Sequence, residues 1–221
     1  MFEVNPVDVF DIQRVYDHWK HNDFGYIYRK VFTVDDFYIN PDEIRDYALS
    51  CELKGGKEYC GGLIGKRVVE DRQDMIDKLK PVFSKLCQHK EWYNLEYDDA
   101  EFNEKWDKMK FMVNHTTHDD ITERFSKTVY CYTHHKDNIG SKWAALVYLN
   151  KPNEYDGGTN FFKWREDDPY GMDYDINKDI MFTTEMKYNT MVLYEARQTH
   201  GAILNRTMFT EHPRLAQVFF M

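Results

Sequence analysis

The chain has 221 residues, room for one sizeable hydrophobic core and short for two. With 42% hydrophobic, 16% aromatic and 30% charged residues, it carries the bulky apolar side chains that a disordered chain lacks. A formal net charge of −9 argues against nucleic acid and against an anionic membrane surface, both of which select clustered Lys and Arg.

The first residues, MFEVNPVDVFDIQ, bring acids early and no basic segment, so no signal peptide is read and a cytoplasmic location is expected. Val9, Ile12, Tyr16 and Trp19 stand at helical spacing and predict a helix. A second helix is signalled by NPDEIRDYAL (40–49), with Asn40 as cap, Pro41 at the first helical position and Glu43 as capping-box carboxylate. A third runs from Asp71 to about His89, with Met75, Ile76, Leu79, Val82, Phe83 and Leu86 on one stripe and a kink or break expected at Pro81. The segment GGKEYCGGLIG before it is a turn-rich connection. Cys51, Cys60, Cys87 and Cys131 are scattered without a CxxC pair, which predicts free thiols rather than disulfides or structural zinc.

After about residue 108 the pattern changes. KFMVNH, FSKTVYCYTHH, WAALVYLN, GGTNFFKW, DIMFTTEM, NTMVLYEA and RLAQVFFM are short runs rich in β-branched and aromatic residues, divided by Gly, Asn, Asp and Pro. Such a series predicts a β sandwich or barrel. The intervening HTTHDD (115–120) reads as a solvated loop. The longest apolar run, WAALVYL (143–149), falls well below the roughly 18 residues that span a bilayer, so no membrane segment is expected. Trp143 and the aromatics of NFFKW read as core. The expectation is one α+β domain over 1–221: a mainly helical part over 1–107, then a β core over 108–221.

Within that core, YTHHKD (132–137) is the segment with chemistry in it. On a strand, residues i and i+2 share a face, so His135 and Asp137 lie together and His134 lies on the other side. A His-x-Asp pair supplies two of the three ligands of a 2-His-1-carboxylate triad, which leaves positions open on ferrous iron. The missing histidine should come from a later strand, and His200 and His212 are the candidates. His200 closes the strand-like MVLYEARQTH, whereas His212 sits in a turn, and the arginine-bearing strand RLAQVFFM still follows. A dicarboxylate co-substrate needs a fixed cation, and the arginine fork matches a carboxylate. His200 is the preferred second histidine and Arg214 the preferred anchor, with Arg206 a rival in the connection.

In this ordered set the chain resembles the Fe(II)/2-oxoglutarate-dependent dioxygenases, in particular their prolyl-hydroxylase-like branch. The likeness covers about residues 108–221: YTHHKD, then LVYLNKPNEYDGGTNFF, then YNTMVLYEARQTHGA, then RLAQVFF. It implies a double-stranded β-helix (jelly-roll, cupin-like) core with N-terminal helices packed against it. It further implies that His135, Asp137 and His200 bind Fe(II), that Arg214 and Tyr148 hold the far carboxylate of 2-oxoglutarate, and that Tyr132 is the motif tyrosine. By alternation Ala144 and Leu146 share the face of Tyr148 and would line the pocket. Many relatives carry Ser or Thr two places after the arginine; here that residue is Ala216. The activity implied is hydroxylation of a C–H bond with dioxygen, on a peptidyl proline, another amino-acid side chain or a small molecule. Two other readings are a non-catalytic ligand-binding barrel and a cupin-like metalloprotein that uses no 2-oxoglutarate and so has no need of Arg214.

Overall fold

The computed structural model describes residues 1–8, 10–17, 27–55, 64–92, 95–127, 135–137, 140–154, 157–162 and 180–221. The chain opens with a strand pair, β1 (Asp11–Asp17) and β2 (Ile27–Val34), antiparallel with Asp11 opposite Thr33 and Asp17 opposite Ile27. The helix expected over this stretch is therefore replaced by a strand. Ile12 and Tyr16 are four apart, an even spacing that suits a period of two as well as one of 3.6, and the β-branched and aromatic run of β2 supplies the partner.

Helix α1 (Pro41–Ser50) starts with Pro41 at its first position, but the Asn40 side chain makes no capping hydrogen bond. After β3 (Lys66–Glu70), helix α2 (Gln73–Cys87) runs unbroken through Pro81, burying Met75, Ile76, Leu79, Phe83 and Leu86. That buried stripe holds the helix together across the missing proline N–H. A 3-10 turn (Lys90–Trp92) leads to α3 (Asp99–Asp107), which is capped by the Asp98 side chain accepting from the Glu101 amide.

Strand β4 (Phe111–Thr116) is followed directly by helix α4 (His118–Lys127). HTTHDD is thus not a loop. His115 pairs with Lys66 and Leu215 in the sheet, and Thr117 forms a capping box: the Asp120 carboxylate accepts from the Thr117 amide at 2.8 Å, and the Thr117 hydroxyl from the Asp120 amide at 3.2 Å. Phe125–Lys127, expected to open a strand, end this helix; residues 128–134 lie outside the described chain.

The remaining strands are β5 (Trp143–Tyr148), β6 (Gly158–Phe162), β7 (Ile180–Glu185), β8 (Met191–Glu195), β9 (His200–Ala202) and β10 (Arg214–Phe220). They assemble with the earlier ones into an antiparallel seven-stranded sheet, β1-β2-β8-β5-β10-β4-β3, and a three-stranded sheet, β7-β6-β9. One face of the larger sheet (Trp143, Ala145, Val147, Leu193, Leu215, Phe219) packs with residues of α1, α2 and α3, including Ile44, Phe83 and Trp106. The other face (Ala144, Leu146, Tyr148, Val192, Tyr194, Val218) packs with Phe161 of the smaller sheet, Met186 and Phe209. Burial on both faces is why β5 reads as a continuous apolar run instead of alternating. Trp143, Phe161 and Phe162 are core residues.

Cys51 and Cys87 are free thiols; Cys60 and Cys131 lie outside the described residues. Among the described residues no helix is long and apolar enough to cross a membrane.

Candidate metal centre

Two backbone junctions bring the histidines and the aspartate together. His135 and His200 form an isolated antiparallel bridge: the His135 amide donates to the His200 carbonyl at 2.7 Å, and the His200 amide to the His135 carbonyl at 3.0 Å. The Asp137 amide donates to the Ala196 carbonyl at 2.9 Å, which pins the aspartate to the turn after β8. That turn corrects the local reading of His200. It does not end a strand; β8 stops at Glu195, and His200 opens β9 in the smaller sheet.

The side chains converge. Nε2 of His135 lies 3.5 Å from Oδ1 of Asp137, and Nε2 of His200 lies 3.6 Å from Oδ2. One ligand atom from each of the three lies within 4.8 Å of the others, a spacing that one metal ion can bridge. Asp137 and His200 are 6% exposed and His135 is 34% exposed, so the cluster is closed on two sides and open on the third.

Protonation suits metal binding. Nδ1 of His200 gives its proton to the Gln198 carbonyl at 2.9 Å, leaving the lone pair on Nε2, the atom aimed at Asp137. Gln198 is itself fixed, its amide nitrogen donating to the Phe162 carbonyl at 2.6 Å. Burial pushes the His200 imidazole down to about 4 against the opposing pull of Asp137, so the ring is neutral near pH 7. Burial alone would raise the Asp137 carboxyl, but His200, His135 and the Tyr194 hydroxyl outweigh it and hold the group below its usual range. Tyr194 donates to Oδ2 of Asp137 at 3.2 Å and also stands 3.0 Å from Nε2 of His200.

A cavity of about 650 Å³, counting its open mouth, extends from these three residues. Arg214 lines it too, buried to 5% exposure. Its backbone is clamped by Asn150, which donates to the Pro213 carbonyl and accepts from the Leu215 amide, each at 2.7 Å. Nε of Arg214 has no hydrogen-bond partner, and no carboxylate pairs with the guanidinium among the described residues. Burial lowers its pKa, opposed by Tyr148 and Tyr194. A buried guanidinium without an anion is costly.

Tyr148 is fully buried beside Arg214 but turns its hydroxyl to Thr159 at 2.7 Å and Thr184 at 2.9 Å. Burial raises its pKa, so it is a neutral phenol. Leu146 lines the cavity and Ala144 lies in the core on the same face. Ala216 lines the cavity, while the hydroxyl-bearing residues on its wall are Thr116, Thr159 and Tyr194. The rivals lie elsewhere: Arg206 is in an exposed turn, and His212 is exposed against a separate surface hollow. Tyr132 and His134 fall outside the described residues.

Sequence reasoning did not find Tyr194, Thr159 or Arg67, whose Nε donates to Asn114 at 2.7 Å on the cavity wall. Alternation along MVLYE puts Tyr194 on the face of Val192. Nothing in the sequence signals that this face meets Asp137.

No protein-family model matches the chain, and no curated protein is similar to it in sequence. Among solved structures it is similar to two crystal structures of SnoN, a non-heme alpha-ketoglutarate-dependent epimerase from nogalamycin biosynthesis. One, in complex with Fe3+, alpha-ketoglutarate and nogalamycin RO, aligns at 15% identity and a TM-score of 0.47; the other aligns at 14% and 0.48. Both alignments cover 86% of this chain and 78% of SnoN. Likeness at this level says nothing about the chemistry of this chain, which is carried by its own residues.

Proposed function

We propose that this protein is an Fe(II)- and 2-oxoglutarate-dependent oxygenase. The carrying observation is a single cavity that joins a His135/Asp137/His200 cluster to a buried guanidinium, Arg214, with no anionic partner among the described residues. The two sheets are then the two faces of a double-stranded β-helix, with the N-terminal helices packed on the outer face of the larger one.

His135 and His200 would hold the iron through Nε2 and Asp137 through its carboxylate, neutral nitrogen and anionic oxygen being the donors that suit ferrous iron. Arg214 would take the far carboxylate of 2-oxoglutarate. Tyr148 would back Arg214, and its Thr159 partner lines the cavity. Bound there, iron and 2-oxoglutarate would activate dioxygen for attack on a substrate C–H bond. Ile64, Leu146, Leu204, Val218 and Phe220 give the cavity apolar walls, which exclude water and suit an aliphatic substrate group. The substrate class we favour is an amino-acid side chain, a peptidyl proline first, on a small molecule or peptide.

Arg214 also separates this reading from a cupin-like site without a co-substrate, which has no use for a buried cation. Calorimetric titration of 2-oxoglutarate into Mn(II)-loaded protein tests it. Arg214→Met should bind the metal normally and 2-oxoglutarate at least about tenfold more weakly; equal binding in both proteins would reject the assignment.

A further inference from the structure

Tyr194 carries a buried hydroxyl that the proposed reaction does not use. Its ring packs edge-on to Phe161 at 5.2 Å and against His200 at 4.6 Å, contacts that phenylalanine would make equally well. Packing therefore does not account for the oxygen. The hydroxyl has one proton and two acceptors, Nε2 of His200 at 3.0 Å and Oδ2 of Asp137 at 3.2 Å. Because Nδ1 of His200 is committed to the Gln198 carbonyl, Nε2 offers only its lone pair. A metal ion on that lone pair leaves Asp137 as the remaining acceptor, and a hydrogen bond to a carboxylate is the stronger of the two.

We propose that Tyr194 is a positioning residue: it holds Oδ2 of Asp137 so that the carboxylate meets the metal through Oδ1 alone. The consequence is functional. A carboxylate bound through both oxygens occupies an extra coordination position, one that the co-substrate and dioxygen need. Burial and the neighbouring Asp137 charge keep Tyr194 a phenol, which agrees with a donor and not a ligand. This inference rests on the metal-binding reading of His135, Asp137 and His200.

The test uses Co(II), whose visible spectrum reports coordination number without turnover. Wild type, Asp137→Ala and Tyr194→Phe are titrated in parallel, with melting curves of the metal-free proteins as a folding control. The expected result is Co(II) binding that depends on Asp137 and weakens about 10–100-fold in Tyr194→Phe, with a spectrum shifted toward higher coordination. Asp137-dependent binding with an unchanged affinity and spectrum in Tyr194→Phe would overturn the role of Tyr194 and leave the metal site standing. Binding indifferent to Asp137 would overturn both. Infrared carboxylate stretches of cobalt-loaded wild type give a readout that requires no Tyr194 variant to fold: a one-oxygen pattern supports the inference, and a two-oxygen pattern refutes it. An intense phenolate band in Fe(III)-loaded protein would also refute it, since Tyr194 would then be a ligand.

Discussion

At the scale of one residue, Arg214 on the proposed reading trades stability for function. Its guanidinium is buried with Nε unpartnered, so the protein without ligand bears a desolvated charge that only an anion would compensate. The Arg214→Met variant should therefore be more stable than wild type in the absence of ligand, by about 1–4 kcal/mol, and should gain nothing from added 2-oxoglutarate. Urea denaturation with and without the dicarboxylate checks both halves. His200 gives a pH dependence. Its folded pKa of about 4 lies below the ordinary 6.5, so the unfolded chain takes up the proton first as the pH falls. Stability contributed by the neutral ring is complete above 6.5 and is lost as the pH drops from there through about 4. Asp137, depressed as well, acts in the same direction but lower, only as the pH falls below the ordinary carboxyl value of 3.8. The melting temperature of the metal-free protein should fall across the His200 window, and His200→Gln should flatten the fall. These residues could be singled out because the order His-x-Asp, His, Arg is a sequence property. The strand alternation invoked for His135 and Asp137 is not what joins them, since His135 makes only an isolated bridge and Asp137 lies outside any strand. Tyr194 could not be singled out, since its contact with Asp137 joins positions 57 apart that only the fold brings together.

Elements were legible where one period dominated. Strands β4 to β10, β9 excepted, fall in the apolar runs bounded by turn residues, and α2 follows its stripe. Two errors have specific causes. Ile12 and Tyr16 satisfy the helical and the strand period together, and the strand prevails because β2 is there to pair with it. HTTHDD reads as a loop for want of a visible strand partner, but His115 has two, Lys66 and Leu215, and the capping box of Thr117 and Asp120 marks a helix start. The Gly157–Gly158 pair has a physical reason. Gly158 opens β6 with φ of +152°, and a Cβ there would collide with the Thr184 carbonyl of β7. Gly158→Ala should cost about 1–3 kcal/mol through strain between β6 and β7, measurable as a lower urea midpoint. Because Thr159 follows directly and holds Tyr148, the same variant should disturb the Arg214 end of the cavity more than the metal end.

Across the whole molecule, the larger sheet is a partition with helices on one side and the cavity on the other. Its inner face presents Leu146, Tyr194, Arg214 and Val218, and the bridge of His135 to His200 sets the His135/Asp137/His200 cluster against that face. His200 of β9 and Arg214 of β10, with His135 and Asp137 pinned to the strand and turn beside them, are thus held at a fixed separation by the sheets, which on the proposed reading orients two reactants. The measurement that bears most directly on this account is an anaerobic visible-absorption titration of the protein with Fe(II) and then 2-oxoglutarate. Chelation of ferrous iron by the keto acid gives a weak charge-transfer band and requires no knowledge of the substrate. The account predicts a band in wild type that is lost in His200→Ala and weakened in Arg214→Met. Confirmed iron binding with no band on adding 2-oxoglutarate would contradict it.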